Sequence, residues 1–348
     1  MRRLNTLRVL IATFIIFILF ALLAPLPYVV MSPGPATNTL GIDQKIPLIT
    51  IKGHTTYPTD GELALTTVSV SSPDSTLRAP LILEAWLRSD TQVLPRDVIY
   101  PPDQKIGDIN AQNAEEMKSS QEHATTAALR YLGYKLGSEV AVQAIPKGSP
   151  SLGILRAGDV LRSVGGVAII TAAQLRSQML TYKPGDVLAL VVDRGAKRDT
   201  FSLKTGRAAG SRALLGLLPV DQFRYPFSVD IRLNDVGGPS AGMMFALGII
   251  DKLTPGSLTK KRIIAGTGTI DDNGNVGPIG GIGEKILGAY RHGARLFLAP
   301  ISNCPDIHTV PAGMRVLGVD TLRQAVDTLQ SDSVAAKASV SCGTKSAP

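Results

Sequence analysis

Aromatic residues are scarce: Phe, Trp and Tyr make up 5% of the 348 residues, with one tryptophan. Any core must therefore be built from Val, Ile, Leu and Ala. Cysteine is nearly absent, with only Cys304 and Cys342, and the four histidines lie far apart. There is no CxxC pair and no HExxH, so no metal site is expected. The net charge of +8 comes from scattered residues. No Lys/Arg run is interleaved with aromatics, which excludes a nucleic-acid face and leaves a solvated basic surface. No GxxxxGK[ST] occurs, and no cofactor is expected. Glycine (34) and proline (23) are plentiful instead, which suits many strands and tight turns.

The N-terminus carries the strongest compositional signal. Arg2, Arg3 and Arg8 precede an uncharged stretch from Val9 to Met31, and Ile11–Leu23 is almost wholly apolar. About 20 apolar residues span a bilayer as a helix, and flanking arginines favour a cytoplasmic N-terminus. Residues 1–31 are therefore expected to be a single-pass transmembrane anchor, with the rest of the chain extracytoplasmic. A cleaved signal peptide is the alternative. Ala21 and Ala24 are three apart and Pro25 follows directly, a poor cleavage site. Outside the cytoplasm Cys304 and Cys342 could pair, and the sequence leaves both states open.

Residues 32–60 read as a linker, Leu63–Val70 as a strand, Ala79–Arg88 as a helix carrying the tryptophan, and Ala111–Leu132 as a helix. Nothing between 32 and 120 suggests chemistry. From Tyr131 short strands take over: Glu139–Ile145, the end of Leu155–Val164, Val187–Asp193 and Thr200–Leu203. A helix capped by Thr171 lies among them. With the stretch from Gly148 through Leu155-Arg-Ala-Gly-Asp159 to Gly166, this order resembles a PDZ domain over 125–207. Leu132, Gly133 and Tyr134 fall where that family has its carboxylate-binding loop. The resemblance implies peptide capture by strand addition.

Residues 208–330 form a mixed α/β block. Within it, Asp235-Val-Gly-Gly-Pro-Ser240 runs into the apolar helix Ala241–Leu253. That sets a hydroxyl at a helix N-terminus, where free N–H groups can hold an oxyanion and glycines let a substrate backbone approach. Gly238 and Pro239 form the backbone loop of this expected site. The bland alternative is that Ser240 is a helix cap. Lys285, 45 residues on, enters a helix flanked by Ile282, Ile286 and Leu287. A lysine among apolar groups can lose its proton near neutrality and act as a base, unless it is a surface lysine paired with Glu284.

The segment Gly237-Gly-Pro-Ser-Ala-Gly242, then Pro278-Ile-Gly-Gly-Ile-Gly-Glu-Lys285, closely resembles the proteolytic domain of Lon proteases. The resemblance implies Ser240 as nucleophile, Lys285 as general base and Thr267 as an orienting neighbour. One departure is visible: Gly237 stands where Lon has an acidic residue. Anchor, PDZ-like module and Lon-like domain in that order resemble the PDZ-containing, membrane-anchored Lon-like proteins of bacteria. The expected fold is mixed α/β: a transmembrane helix, a 32–124 extracytoplasmic region, a β-rich PDZ-like domain at 125–207, an α+β proteolytic domain at 208–330 and a flexible tail at 331–348. The expected activity is ATP-independent endopeptidase action on unfolded or flexible polypeptides, with homo-oligomerisation open.

Three rival readings remain. Gly238–Gly242 also fits GxSxG, with Asp271 or Asp306 and His308 as partners in an esterase. Ser257-Leu-Thr-Lys260 fits SxxK, and Lys204-Thr-Gly206 fits KTG. The last alternative is a membrane-tethered scaffold with a silent protease domain.

Overall fold

The computed structural model describes residues 2–43, 46–72, 75, 77–207, 210, 212–233, 236–331 and 340–342. They form two compact units: one from residues 1–133 with 227–348, the other from Tyr134–Pro226.

The chain opens with helix α1 (Arg2–Leu23), whose side chains from Leu7 to Phe20 are exposed. Among the residues whose side chains are described, no helix is long and apolar enough to cross a membrane. Strand β1 (Tyr28–Asn38) follows. Here the expected linker is corrected. Residues 28–38 are an inner strand of the main sheet, and their Pro-Gly-Pro is accommodated at a register shift between Pro33 and Ala36. Proline cannot donate to a ladder, so a bulge is where an inner strand can hold it. Strand β2 (Ile49–Lys52), also inside the supposed linker, is reserved for a partner far along the chain.

Strand β3 (Glu62–Val70), helix α2 (Ala79–Leu87), β4 (Gln92–Pro95) and the long α3 (Ile106–Tyr131) come next.

The second unit then begins with β5 (Gly137–Ala144) and β6 (Val160–Val164). Helix α4 (Ala172–Met179) starts at Thr171, whose hydroxyl accepts the Gln174 N–H as expected of a cap. Strands β7 (Val187–Arg194), β8 (Lys197–Lys204) and β9 (Leu218–Arg224) complete it. The sheet order is β8-β7-β6-β5-β9. Alternate residues Leu188, Leu190 and Val192 of β7 join Val140, Val142, Leu161 and Leu175 in the core. This unit is shifted from the expected 125–207. Residues 125–131 belong to α3, while β9 pairs with β5 along its length, from Arg224 opposite Gly137 to Leu218 opposite Ala144.

The chain returns to the first unit with β10 (Ser228–Ile231), the partner of β2. Helix α5 (Gly242–Leu253), β11 (Ile263–Gly266), a hairpin of β12 (Thr269–Ile270) and β13 (Val276–Gly277), and α6 (Ile282–Arg291) follow. Then come β14 (Leu296–Pro300), β15 (Arg315–Val319), α7 (Leu322–Gln330) and β16 (Val340–Ser341). The main sheet runs β16-β15-β14-β11-β3-β1-β4. Its centre, β3-β11-β14-β15, is parallel. Ala265, Phe297, Ala299 and Val316 pack with Ile282, Ile286 and Ala289 of α6. Helix α5, apolar nearly all round, is buried almost throughout.

The tail expectation is also corrected in part. Val340 and Ser341 pair with β15, and Cys342 is bonded to Cys304. The remaining tail positions, 332–339 and 343–348, lie outside the described residues. A crosslink across a sequence separation of 38 restricts the unfolded chain by about 4 kcal/mol in the loop-entropy model. The double variant Cys304→Ser/Cys342→Ser should therefore lower unfolding stability by up to about that amount. Denaturant titration with and without a thiol reductant checks this: only the wild type should respond to the reductant.

Candidate active site

Ser240 sits two residues before the first helical position of α5. The flanking residue of that helix is Ala241, and no side chain caps it. The hydroxyl is thus free of the capping role that is its commonest employment in such a place. It accepts a hydrogen bond from Lys285 Nζ at 2.8 Å instead.

Lys285 is delivered from the other side by α6. Gly281 precedes that helix at φ +67°, and a Cβ there would fall 2.7 Å from Val68 Cγ1 and 3.1 Å from Met31 Sδ. Both the backbone angle and the space require glycine. The loop before it is held by Asn303, whose amide accepts the Ile279 N–H and donates to the Ile279 carbonyl, both at 2.9 Å. On the first turn of α6 the lysine projects inward and is only 3% exposed. Burial disfavours the ammonium and lowers its pKa to about 8. It forms no ion pair among the described residues, so the Glu284 pairing does not occur.

Thr267 completes the cluster. Its hydroxyl accepts from Lys285 Nζ at 3.1 Å and donates to the Ser240 carbonyl at 3.0 Å. The Gly268 N–H donates to the same carbonyl at 2.8 Å. The strand end after β11 thereby fixes serine and lysine together. Ser240, Lys285 and Thr267 are all brought into one place.

The loop residues are placed differently from expectation. The Gly238 N–H donates to the Asn113 carbonyl at 3.2 Å, and proline has no N–H, so neither Gly238 nor Pro239 offers an oxyanion donor. The Pro239 carbonyl accepts from Ser120 Oγ at 3.0 Å. The loop is thus strapped to α3. The donors left are the N–H groups of Ser240 and Ala241, which have no hydrogen-bond partner among the described residues. Helix α3 also accounts for Gly237: a Cβ there would lie 2.8 Å from Asn113 Cβ, so the acidic side chain of Lon has no room. Asp235 lies outside the described residues.

A cleft of about 200 Å³ opens at the pair, lined by Pro35, residues 65–69 of β3, Val236 and Ala241 besides Ser240 and Lys285. The region 32–120 therefore supplies one wall of the site and the strap behind it. The β-branched residues of Leu63–Val70 marked a strand, but nothing in that stretch marked its position beside Ser240.

The rival motifs disperse. Lys260 Nζ donates to the Gln330 carbonyl, 2.8 Å away, and Ser257 Oγ donates to Asp60, so SxxK is not a catalytic pair. Asp271 is engaged by Asn273 and Asn275, and Asp306 by Asn303.

Leu132, Gly133 and Tyr134 do not form a carboxylate-binding loop. The Leu132 and Gly133 N–H groups close the end of α3 on the carbonyls of Ala128 and Arg130, and the pair belongs to the first unit while Tyr134 opens the second. The second unit has its groove elsewhere. A depression of about 450 Å³ lies between α4 (Leu175, Arg176, Met179, Leu180) and residues 212–219 (Arg212, Leu214, Leu215, Gly216, Leu217, Pro219). The sequence signal was present as Leu214-Leu-Gly-Leu-Leu218, but it was assigned to the following domain.

A half-buried serine paired with a buried lysine, with backbone donors beside it, defines a nucleophilic hydrolase site. Comparison with known proteins gives the family. Residues 235–331 match the Lon protease (S16) C-terminal proteolytic domain, and residues 112–205 match the PDZ domain. The chain is 46% identical over 78 residues to Lon protease 2 of Herpetosiphon aurantiacus, covering 22% of this chain and 9% of that protein. It is 32% identical over 139 residues to Lon protease 1 of Bacillus subtilis, covering 39% and 16%. With Lon protease of Syntrophus aciditrophicus the identity is 29% over 198 residues, covering 49% and 24%. The chain thus spans less than a quarter of the length of these relatives. Among solved structures, the PDZ domain of the SdrC-like protein from Listeria monocytogenes aligns at 21% identity and TM-score 0.23, covering 23% of this chain and 86% of that one. The chain therefore carries a Lon-type proteolytic domain, of a serine protease family that works through a Ser–Lys dyad, together with a PDZ domain.

The lysine's environment sets a pH dependence. Acylation of Ser240 by an activated-ester probe, followed by intact-protein mass, should speed up as pH rises through about 8, because the free amine gains population there. Thr267→Val should slow acylation roughly three- to tenfold, the worth of one hydrogen bond, without abolishing it.

Proposed function

We propose that this chain is a serine endopeptidase that acts without ATP on unfolded or flexible polypeptides. The observation that carries this reading is the 2.8 Å contact between the buried Lys285 Nζ and Ser240 Oγ. As the free amine, Lys285 takes the hydroxyl proton while Oγ attacks the scissile carbonyl. The N–H groups of Ser240 and Ala241 receive the oxyanion. Lys285 then returns the proton to the leaving amine, and water hydrolyses the acyl-enzyme through the same base. Pairing between β3 and β11 ends at Leu65 and Gly266, so beyond Leu65 that edge of β3 borders the cleft. An extended substrate backbone can pair there. The small cleft admits a single strand, which favours unfolded chains and exposed tails.

The PDZ domain is assigned recruitment through the groove between α4 and residues 212–219. Its apolar lining and the N–H groups of the Leu215–Leu217 loop suit a peptide C-terminus ending in an apolar residue. Helix α1, about 33 Å long with its arginines confined to the N-terminal turns, is assigned attachment to the cytoplasmic membrane, with the N-terminus cytoplasmic and the remainder outside. Its exposed apolar side chains and the Cys304–Cys342 bond support that side of the membrane.

The purified chain, incubated without nucleotide with an unfolded protein and analysed by mass spectrometry, tests the chemistry. Wild type should cleave, and Ser240→Ala and Lys285→Ala should lose at least about a thousandfold in rate. Cleavage that persists in Ser240→Ala would sink the mechanism. For the groove, Met179→Asp should raise KM about tenfold for a substrate with an apolar C-terminus and leave cleavage of a short amidated peptide unchanged. Equal effects on both substrates would show that the groove does not recruit.

A further inference from the structure

Helix α2 is an anomaly for a water-facing surface. Its sequence, Ala79-Pro-Leu-Ile-Leu-Glu-Ala-Trp-Leu87, is apolar except for Glu84, yet only Ala85 is buried. Leu81 is 51% exposed, Leu83 54%, Trp86 73% and Leu87 73%. Val98, on the single helical turn Arg96–Ile99, adds 65%. Isolated apolar residues on a surface are ordinary, but Leu83, Trp86 and Leu87 share the helix face opposite the buried Ala85, and a face of that kind holding the chain's sole tryptophan marks a contact surface.

The position of this face identifies its partner. Where α1 ends, the chain is sewn directly to the start of α2: the Leu26 N–H donates to the Leu77 carbonyl at 2.9 Å, and Pro25 bridges Arg78. The Arg96 N–H donates to the Pro27 carbonyl at 2.9 Å, and β4 pairs with the first residues of β1. Helix α2 and the Val98 turn are therefore fastened beside the exit of α1. Two cations edge the face. Arg78 and Arg96 have no carboxylate partner among the described residues, whereas Arg88 is held by Asp90 at 3.0 Å. Unpaired guanidiniums beside an apolar face complement lipid phosphates, and tryptophan favours the boundary between headgroups and acyl chains.

We propose that α2 is an interfacial helix: Leu83, Trp86 and Leu87 lie in the headgroup–acyl boundary of the bilayer in which α1 sits, with Arg78 and Arg96 on lipid phosphates. This rests on the reading of α1 as the membrane attachment. It adds a second contact that fixes the orientation of the proteolytic domain on the bilayer, since one helix alone leaves the domain free to swivel.

The single tryptophan makes the test direct. The full chain is reconstituted into phosphatidylcholine–phosphatidylglycerol vesicles, recovered by flotation, and its Trp86 emission read in lipids brominated either near the headgroup or near the acyl terminus. The proposal expects blue-shifted emission, quenched at least about twofold more by the shallow bromines. Leu83→Ser/Leu87→Ser, which keeps the probe and leaves the active site untouched, should lose most of that quenching while still floating. Flotation with red, unquenched emission would show α2 in water and overturn the proposal while the α1 attachment stands. Blue emission without quenching would show a protein cover, such as a second copy of the chain, and would also overturn it. A chain that does not float at all overturns the attachment by α1 and this proposal together.

Discussion

Everything at the catalytic end of this molecule depends on keeping one amine out of water. Lys285 has an ordinary pKa well above neutrality, and only burial brings it to about 8. That burial requires α6 to lie flat on the sheet, with Ile282, Ile286 and Ala289 in the same core as Phe297 and Val316. It also requires polar company that carries no negative charge, because a carboxylate would hold the proton on. Ser240 and Thr267 supply that company as hydroxyls alone. The site is thus a balance between desolvation, which weakens the ammonium, and two neutral hydrogen bonds, which orient the nitrogen.

Several other features follow from this constraint. The parallel centre of the sheet ends at Gly266, and the next two residues tie down the Ser240 carbonyl. Gly281 lets the α6 helix begin hard against Val68 and Met31. Asn303 clamps the preceding loop through both groups of Ile279, and its neighbour Cys304 is bonded to Cys342. The dyad is therefore anchored from the sheet, from the loop and from the tail. On the opposite side α3 straps the Gly238–Pro239 loop and occupies the space beside Gly237. A side chain at position 237 would meet Asn113 of that helix.

The PDZ unit is put together differently. Its sheet is completed by β9, a strand that follows a long connection after β8, and its depression lies between α4 and residues 212–219, which lead into that late strand. A search for the carboxylate loop at the start of the unit finds Leu132 and Gly133, whose N–H groups are already consumed by the end of α3. The depression lies at the other end of the unit's sequence, because strand neighbours in a sheet need not be neighbours in the chain.

What the sequence by itself determined is local. Apolar spacing around Lys285, the glycine-rich approach to Ser240, the Thr171 cap and the β-branched residues of Leu63–Val70 all act over a few residues, so they could be read without coordinates. The likeness of two short motifs then joined Ser240 to Lys285. What only the tertiary structure decided is long-range pairing: that Tyr28–Asn38 is an inner strand and no linker, that residues 65–69 wall the cleft, that Cys342 reaches Cys304, and that Arg224 lies opposite Gly137. Such contacts leave no periodic trace in either partner. They arise from the closing of a sheet, where each strand's neighbour is chosen by the packing of the whole core.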